Sequence, residues 1–270
     1  MRALLAIALA LCTGAAAAQT TQLRALDTEY AAASYKAVGR IDFGRSGQCS
    51  GTLIARDLVL TAAHCLYRPG TDQLWPADSI RFHAGLRNGT PQATRRAAAA
   101  AAHADYRPLA PIDQRNVTHD VALIRLAEPI STFEVAPFYL SAEAVTPGPV
   151  SVVSYGRGRS QVQSRQKQCQ LLDRQGDLLV LDCDVTFGSS GAPVFSHANG
   201  RGQIVGVISS MSKVAGAHRA FAMTLPTRVT ELKRQMNMQV APPRAQVRRL
   251  RVGSGGNRSG IGAKFVQPGG

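Results

Sequence analysis

The sequence predicts an all-β protein, a barrel or sandwich of many short strands, on three observations. Short apolar and β-branched runs recur at close spacing, and Gly, Pro and Asn break them. The chain is 270 residues long and 45% hydrophobic, enough for a packed core in one large domain or two small ones. Only one stretch, close to the C-terminal end, carries helical spacing. The same arithmetic excludes a wholly disordered chain. No internal run approaches the roughly 18 apolar residues that span a bilayer.

In chain order, residues 1–18 read as a secretory signal peptide. Arg2 is followed by the apolar stretch Ala3 to Leu11 and closed by the small residues Ala15 to Ala18. A secreted or periplasmic chain starting near Gln19 is therefore expected, with an N-terminal extension over 19–36. Strands are expected at Ala37–Ile41, Gly51–Ile54, Leu58–Thr61, Ser79–Ala84, Val121–Leu126, Val150–Ser154, Leu178–Asp182, Pro193–Phe195, Ile204–Ser209 and Ala220–Thr224. Thr227–Met238 is the helix, opened by a Pro-Thr pair and carrying Val229, Leu232 and Met236 near helical spacing. Ala97–Ala102 is ambiguous, because alanine favours helix intrinsically while tertiary context overrides it. No usable internal repeat is found.

Residues 241–270 are a different material. They hold Arg244, Arg248, Arg249, Arg251, Arg258 and Lys264, no acidic residue, and many Gly, Pro and Ser, so this tail is expected to be disordered. It carries six of the chain's formal +14 charges. Anionic envelope polymers or a membrane surface are its candidate partners, beside a plain solvated tail with none. No aromatic stacking pattern or fold signature marks a dedicated nucleic-acid binder.

Export sets the reading of the cysteines. Cys12 leaves with the signal, and Cys49, Cys65, Cys169 and Cys183 remain, an even count in an oxidising compartment. Of three possible pairings, Cys49–Cys65 with Cys169–Cys183 is the economical one. Each such bond closes a loop of roughly 15 residues, worth on the order of 3 kcal/mol by chain entropy. No Cys-x-x-Cys or His-x-x-x-His spacing points to zinc, so neither a metal nor any other cofactor is expected.

Three motifs carry chemistry: Thr61-Ala62-Ala63-His64-Cys65, then His119-Asp120-Val121-Ala122-Leu123-Ile124, then Gly188-Ser189-Ser190-Gly191-Ala192-Pro193. A serine hydroxyl is a weak nucleophile near neutral pH, so a base must take its proton as it attacks. His64 suits that role, titrating near pH ~6.5 and able to return the proton to a leaving amine. Asp120 would accept the other ring N–H and fix the tautomer. The glycine-bounded turn at Ser190 would aim the N–H groups of Gly188 and Ser190 at a developing oxyanion, each donor worth about 3–4 kcal/mol. Chain order discriminates among folds. An α/β-hydrolase needs an acid and then a histidine after its serine, and no histidine follows Glu231. Subtilisin order needs an acid before His64; Asp27, Asp42 and Asp57 qualify, but the βαβ pattern is missing.

The motifs, with the block Cys49-Ser50-Gly51-Thr52-Leu53-Ile54 ahead of Leu60 to Cys65, resemble the trypsin/chymotrypsin-like serine protease family in its secreted bacterial branch. The likeness runs in weaker form from about Ala37 to Met238. It implies two antiparallel β-barrels over 37–240, split near 130–147, with a C-terminal helix, and a catalytic triad of His64, Asp120 and Ser190. It also implies that the alanine run, ahead of His103-Ala104-Asp105-Tyr106, is strand or loop. Ser209 stands where relatives keep a serine bonded to the aspartate, on a segment that pairs with substrate as an added strand. Asp184 stands where trypsin-like members hold the acid that binds Arg or Lys, and Ser210 and Met211 replace the Trp-Gly beside the pocket.

Two departures qualify the likeness. Ser189 replaces the aspartate of zymogen-activated relatives, and no Ile-Val-Gly-Gly start lies near Gln19. Maturation is therefore expected to be signal removal with optional trimming before about Ala37. Cys183 is displaced from the family pattern, leaving Asp184 a structural turn acid as the rival reading. No histidine follows Ile208 in its strand, unlike the glutamyl-specific relatives. His83, His103, His119, His197 and His218 read as surface or structural. The expectation is a monomeric, secreted serine endopeptidase acting on protein or peptide substrate. Its competitor is a catalytically inactive protease-like protein that binds anionic polymers or surfaces.

Overall fold

The computed structural model describes residues 20–44, 47–197 and 202–240. The signal segment 1–18 and the basic tail 241–270 lie outside the described residues. Alternating buried and half-buried positions build a first barrel from β2 (Val38–Phe43), β3 (Gly47–Ala55), β4 (Leu58–Thr61), β5 (Ile80–Ala84), β6 (Ala93–Ala102) and β7 (Ala122–Leu126). These strands close in the order β2-β3-β4-β7-β6-β5, with every pairing antiparallel. Inward side chains such as Ile41, Leu53, Leu60, Phe82 and Leu123 are fully excluded from water, each contributing about 1.5–3 kcal/mol by burial.

A second ring repeats that order. It uses β8 (Gly148–Ser154), β9 (Ser164–Gln175), β10 (Leu178–Leu181), β11 (Pro193–Ser196), β12 (Gln203–Val214) and β13 (Ala217–Met223). The sheet runs β9-β10-β13-β12-β11-β8, and the β8–β9 pairing closes it. Both barrels thus share one strand order although no repeat is visible in the sequence. Barrel closure needs matched pairing and inward packing, which very different residues can supply. The linker 127–147 joins them, and an aromatic cluster of Tyr35, Phe138 and Phe195 packs at that level, with Phe138 and Phe195 centroids 4.6 Å apart. The last element is the helix α3 (Pro226–Val240), which buries Val229, Leu232 and Met236.

The ambiguous alanine run resolves as the strand that the family likeness allowed, and other elements were not foreseen. The alanine run is the second half of strand β6 and pairs with β7, while residues 93–96 pair with β5; ladder hydrogen bonds outweigh alanine's helical preference. Strand β9 was not foreseen, because its buried positions include Ser164 and Gln166 beside Cys169 and Leu171, which blurs the apolar alternation. Short helix α2 (Gln114–Thr118) was also missed; the Asp113 side chain caps it by accepting the Asn116 N–H at 2.7 Å.

The stretch expected as a removable N-terminal extension is built into the fold from Thr20 onward. Strand β1 (Leu23–Ala25) pairs with β9, the one-turn helix α1 (Glu29–Ala32) follows, Leu26 and Tyr35 are buried, and the Gln163 amide donates to the carbonyls of Tyr35 and Val38 at 2.9 and 2.7 Å. Trimming at Ala37 would therefore cost stability rather than be optional. A chain starting at Ala37 is expected to lose on the order of 3 kcal/mol or more relative to one starting at Gln19, from the two buried side chains alone. Urea midpoints of the two chains check this, and equal midpoints contradict it.

Candidate active site

His64 lies in the 3₁₀ turn Ala63–Leu66 immediately after β4. The turn is fastened to β3 by the Cys49–Cys65 disulfide, so the histidine's backbone is tied covalently to the first barrel. Asp120 occupies the short passage between α2 and β7, where its N–H donates to Val117 O at 3.1 Å. Ser190 sits in the turn ahead of β11, and Ser209 on β12 of the second barrel. The β12–β13 register shifts between Ile208 and Ser210, a bulge at Ser209 that re-aims its side chain.

That bulge brings Ser209 to the aspartate. Asp120 is 3% exposed and accepts three hydrogen bonds: His64 N–H at 2.8 Å, His64 Nδ1–H at 2.7 Å and Ser209 Oγ–H at 2.5 Å. Burial by itself would raise the Asp120 pKa, but the adjacent His64 and these donors favour the anion and hold it below the ordinary carboxylate value. Burial likewise works against a charged His64, yet the Asp120 carboxylate outweighs it and raises the imidazole above its ordinary value. With Nδ1 engaged, Nε2 is left to exchange protons with the cleft.

The Gly188–Ser190 turn is clamped by Ser50, a fully buried residue of β3. Ser50 N–H donates to Ser190 O at 2.8 Å, and Ser50 Oγ donates to Gly188 O at 2.8 Å while accepting Tyr155 N–H at 2.9 Å. Thr61 Oγ1 closes the set by donating to Ser50 O at 2.8 Å. Gly191 has φ +79°, and a Cβ there would collide with Ser50 O and Thr61 Oγ1, so only glycine lets the barrels approach this closely. The N–H groups of Gly188 and Ser190 have no acceptor among the described residues. Ser189 is buried, sharing a 3.1 Å bond with Ser154 Oγ and accepting Thr186 N–H at 3.3 Å. An aspartate there would be a buried anion requiring a cation; a paired hydroxyl requires none.

His64 and Ser190 line two adjoining cavities. One, of about 470 Å³, is walled by Tyr106, Pro108, Ala110, Ile112, Val117, Val185 and Ile208, with Ser209, Ser210 and Met211 along β12. The other, of about 590 Å³, includes Trp75, Tyr67, Arg157 and Gly188. No hydrogen bond among the described residues links Ser190 Oγ to His64. Asp184 is not brought into either cavity: it is exposed, and its N–H is held by Gln166 Oε1 at 2.7 Å. The turn following Cys183, fastened to β9 by the Cys169–Cys183 bond, directs it to the surface beside Arg159 instead.

Some residues at the site were not foreseen. Ser50 stood inside the quoted block, but a buried serine gives no sign of its role until its four partners assemble. Phe187 is 62% exposed, borders both cavities and lies under the Arg157 guanidinium at 4.3 Å. Its position just before Gly188 was the available signal. Metal-ligand groupings at Cys49/His64/Cys65 and Cys169/Asp182/Cys183 are spent on the two disulfides.

The sequence from residue 49 to 207, more than half the chain, matches the model of the trypsin-like peptidase domain. The chain belongs to that family. Its fold is that of the chymotrypsin-like serine proteases. A Glu endopeptidase solved in complex with MPD is 19% identical, with a TM-score of 0.64 over 79% of this chain and 95% of that one. A thermostable serine protease, AL20, from an extremophilic microorganism is 17% identical, with a TM-score of 0.61 over 76% and 99%. At these identities the likeness speaks to the fold alone.

The trypsin-like domain's buried carboxylate makes a signed prediction. Because the folded pKa of Asp120 is lowered, its contribution is fully present above the unfolded value near ~3.9 and is lost as pH falls through the folded value. For His64, with a raised folded pKa, the contribution is present below ~6.5 and is lost as pH rises through the folded value. Ser209→Ala, which removes a donor from a buried anion, is expected to cost about 1.5–3 kcal/mol at neutral pH and progressively less in acid. Denaturant titrations across pH measure it; a loss that stays constant as Asp120 protonates contradicts the pairing.

Proposed function

We propose that the protein is a secreted serine endopeptidase that works through the triad His64, Asp120 and Ser190 and an acyl-enzyme. The observation that carries the reading is the two-point grip of Asp120 on His64, through its backbone N–H and Nδ1–H, in a cleft shared with Ser190. Ser190 Oγ attacks the scissile carbonyl as its proton passes to His64 Nε2. The oxyanion is received by the N–H groups of Gly188 and Ser190. The tetrahedral adduct then expels the amine, which takes the proton from His64, and water repeats the sequence to free the acyl group. Substrate entry brings the serine and imidazole into hydrogen-bond contact, a tightening that unliganded sites commonly await.

Substrate backbone would add to β12. Strand β11 pairs with β12 only over Gln203–Val207, so one edge from Ser209 to Val214 has no strand partner among the described residues. The cavity beside that edge is walled by apolar side chains, and Asp120, already bonded three times, is its one carboxylate. Such walls suit neutral, apolar side chains on the acyl side of the scissile bond over Arg or Lys. Residues 1–18 serve as the export signal in this reading, and the two disulfides suit an oxidising compartment.

A fluorophosphonate probe tests the chemistry. Labelling of the wild type, absent in Ser190→Ala and slowed about 10⁴-fold in Asp120→Asn, is the expected result. No labelling of the wild type favours a protease-like binding protein instead. Profiling a peptide library should return apolar residues before the cut; a preference for Arg or Lys would restore a role for Asp184.

A further inference from the structure

We propose a zinc site made by His103, Asp105 and His119, outside the substrate cleft on the side of the first barrel that meets helix α3. One nitrogen from each histidine and one Asp105 oxygen lie within 4.8 Å of one another. His119 is ready to coordinate. Its Nδ1–H donates to Arg115 O at 2.7 Å, which leaves the Nε2 lone pair free, 3.8 Å from Asp105 Oδ2. His103 is 5% exposed, and its Nε2–H donates to Glu231 Oε2 at 2.8 Å, so Nδ1 carries its lone pair. That lone pair now accepts a long 3.2 Å hydrogen bond from Asp105 N–H, the one contact an ion must displace.

Each histidine therefore already has the outer acceptor that orients metal ligands, a backbone carbonyl on one and a carboxylate on the other. The rings lie with centroids 5.1 Å apart. Tetrahedral zinc with bonds of about 2.0–2.1 Å holds its ligand atoms roughly 3.3 Å apart. The required contraction falls mainly on Asp105, an exposed side chain that can swing inward. Two imidazoles and one carboxylate are a borderline donor set suited to zinc, with water in the fourth position. Because His119 precedes Asp120, and Asp105 precedes the cleft residue Tyr106, an ion closing this site would pull on the catalytic base's anchor.

The test uses the full mature chain carrying Ser190→Ala, to prevent self-cleavage. Zinc affinity is measured by calorimetry, and Co²⁺ is added to report tetrahedral coordination by its visible absorption. One equivalent of bound zinc is expected. Asp105→Asn and His119→Ala should each weaken it at least about tenfold and abolish the cobalt band. A chain with His64→Ala should retain both signals. Asp105 is a surface residue, so its substitution leaves the fold intact if His119→Ala does not. Absence of zinc binding, binding untouched by Asp105→Asn, or binding abolished by His64→Ala each overturns the site. None of these readouts requires peptidase activity.

Discussion

The buried charge of Asp120 is the constraint on which the rest of the architecture depends. An isolated carboxylate withdrawn from water costs several kcal/mol unless its lone pairs are filled. Here the donors arrive from separate parts of the chain: backbone and side chain of His64 after β4, and Ser209 on β12. Satisfying one anion therefore fixes the histidine turn, the α2–β7 passage and the bulge in the second barrel relative to one another. The stabilisation and the orientation of the imidazole are one interaction. A site built this way holds the His64 imidazole in one orientation.

Ser50 does for the Ser190 turn what Asp120 does for the His64 turn. Its amide and hydroxyl reach across from β3 to the carbonyls of Ser190 and Gly188, holding the carbonyl side of the turn. The N–H groups of Gly188 and Ser190 have no acceptor among the described residues. Glycine at 191 is the steric condition for that contact, because a methyl group would hold the barrels apart. In place of an ion pair at Ser189, the turn rests on hydroxyl contacts with Ser154 and Thr186. The N-terminal strand is engaged elsewhere, on β9, so the turn is supported from within the barrels.

Most of the strands could be read because their apolar residues alternate and glycine or proline interrupts them. Ten expected strands and the C-terminal helix coincide with observed elements within a few residues, and Leu58–Thr61 coincides at both ends. Strand β9 escaped because two of its inward positions are polar; Gln166 is buried only because Thr21 O and Asp184 N–H take up its amide. Strand β1 escaped for a related reason, as three residues carry no periodicity until a partner strand appears.

Local chemistry, by itself, determined which residue types stand in the site: a histidine beside a cysteine, an aspartate before an apolar strand, a serine between glycines. Their order also excluded the rival hydrolase folds, since order along a chain survives folding unchanged. Only the tertiary structure decided which of the remaining residues belong with them. It brought in Ser50 and Phe187, and it turned Asp184 outward. It also collected His103, Asp105 and His119 into one cluster although they read singly as bland. The physical reason is that hydrogen bonding and coordination act over about 3 Å in space, whereas sequence records only separation along the chain.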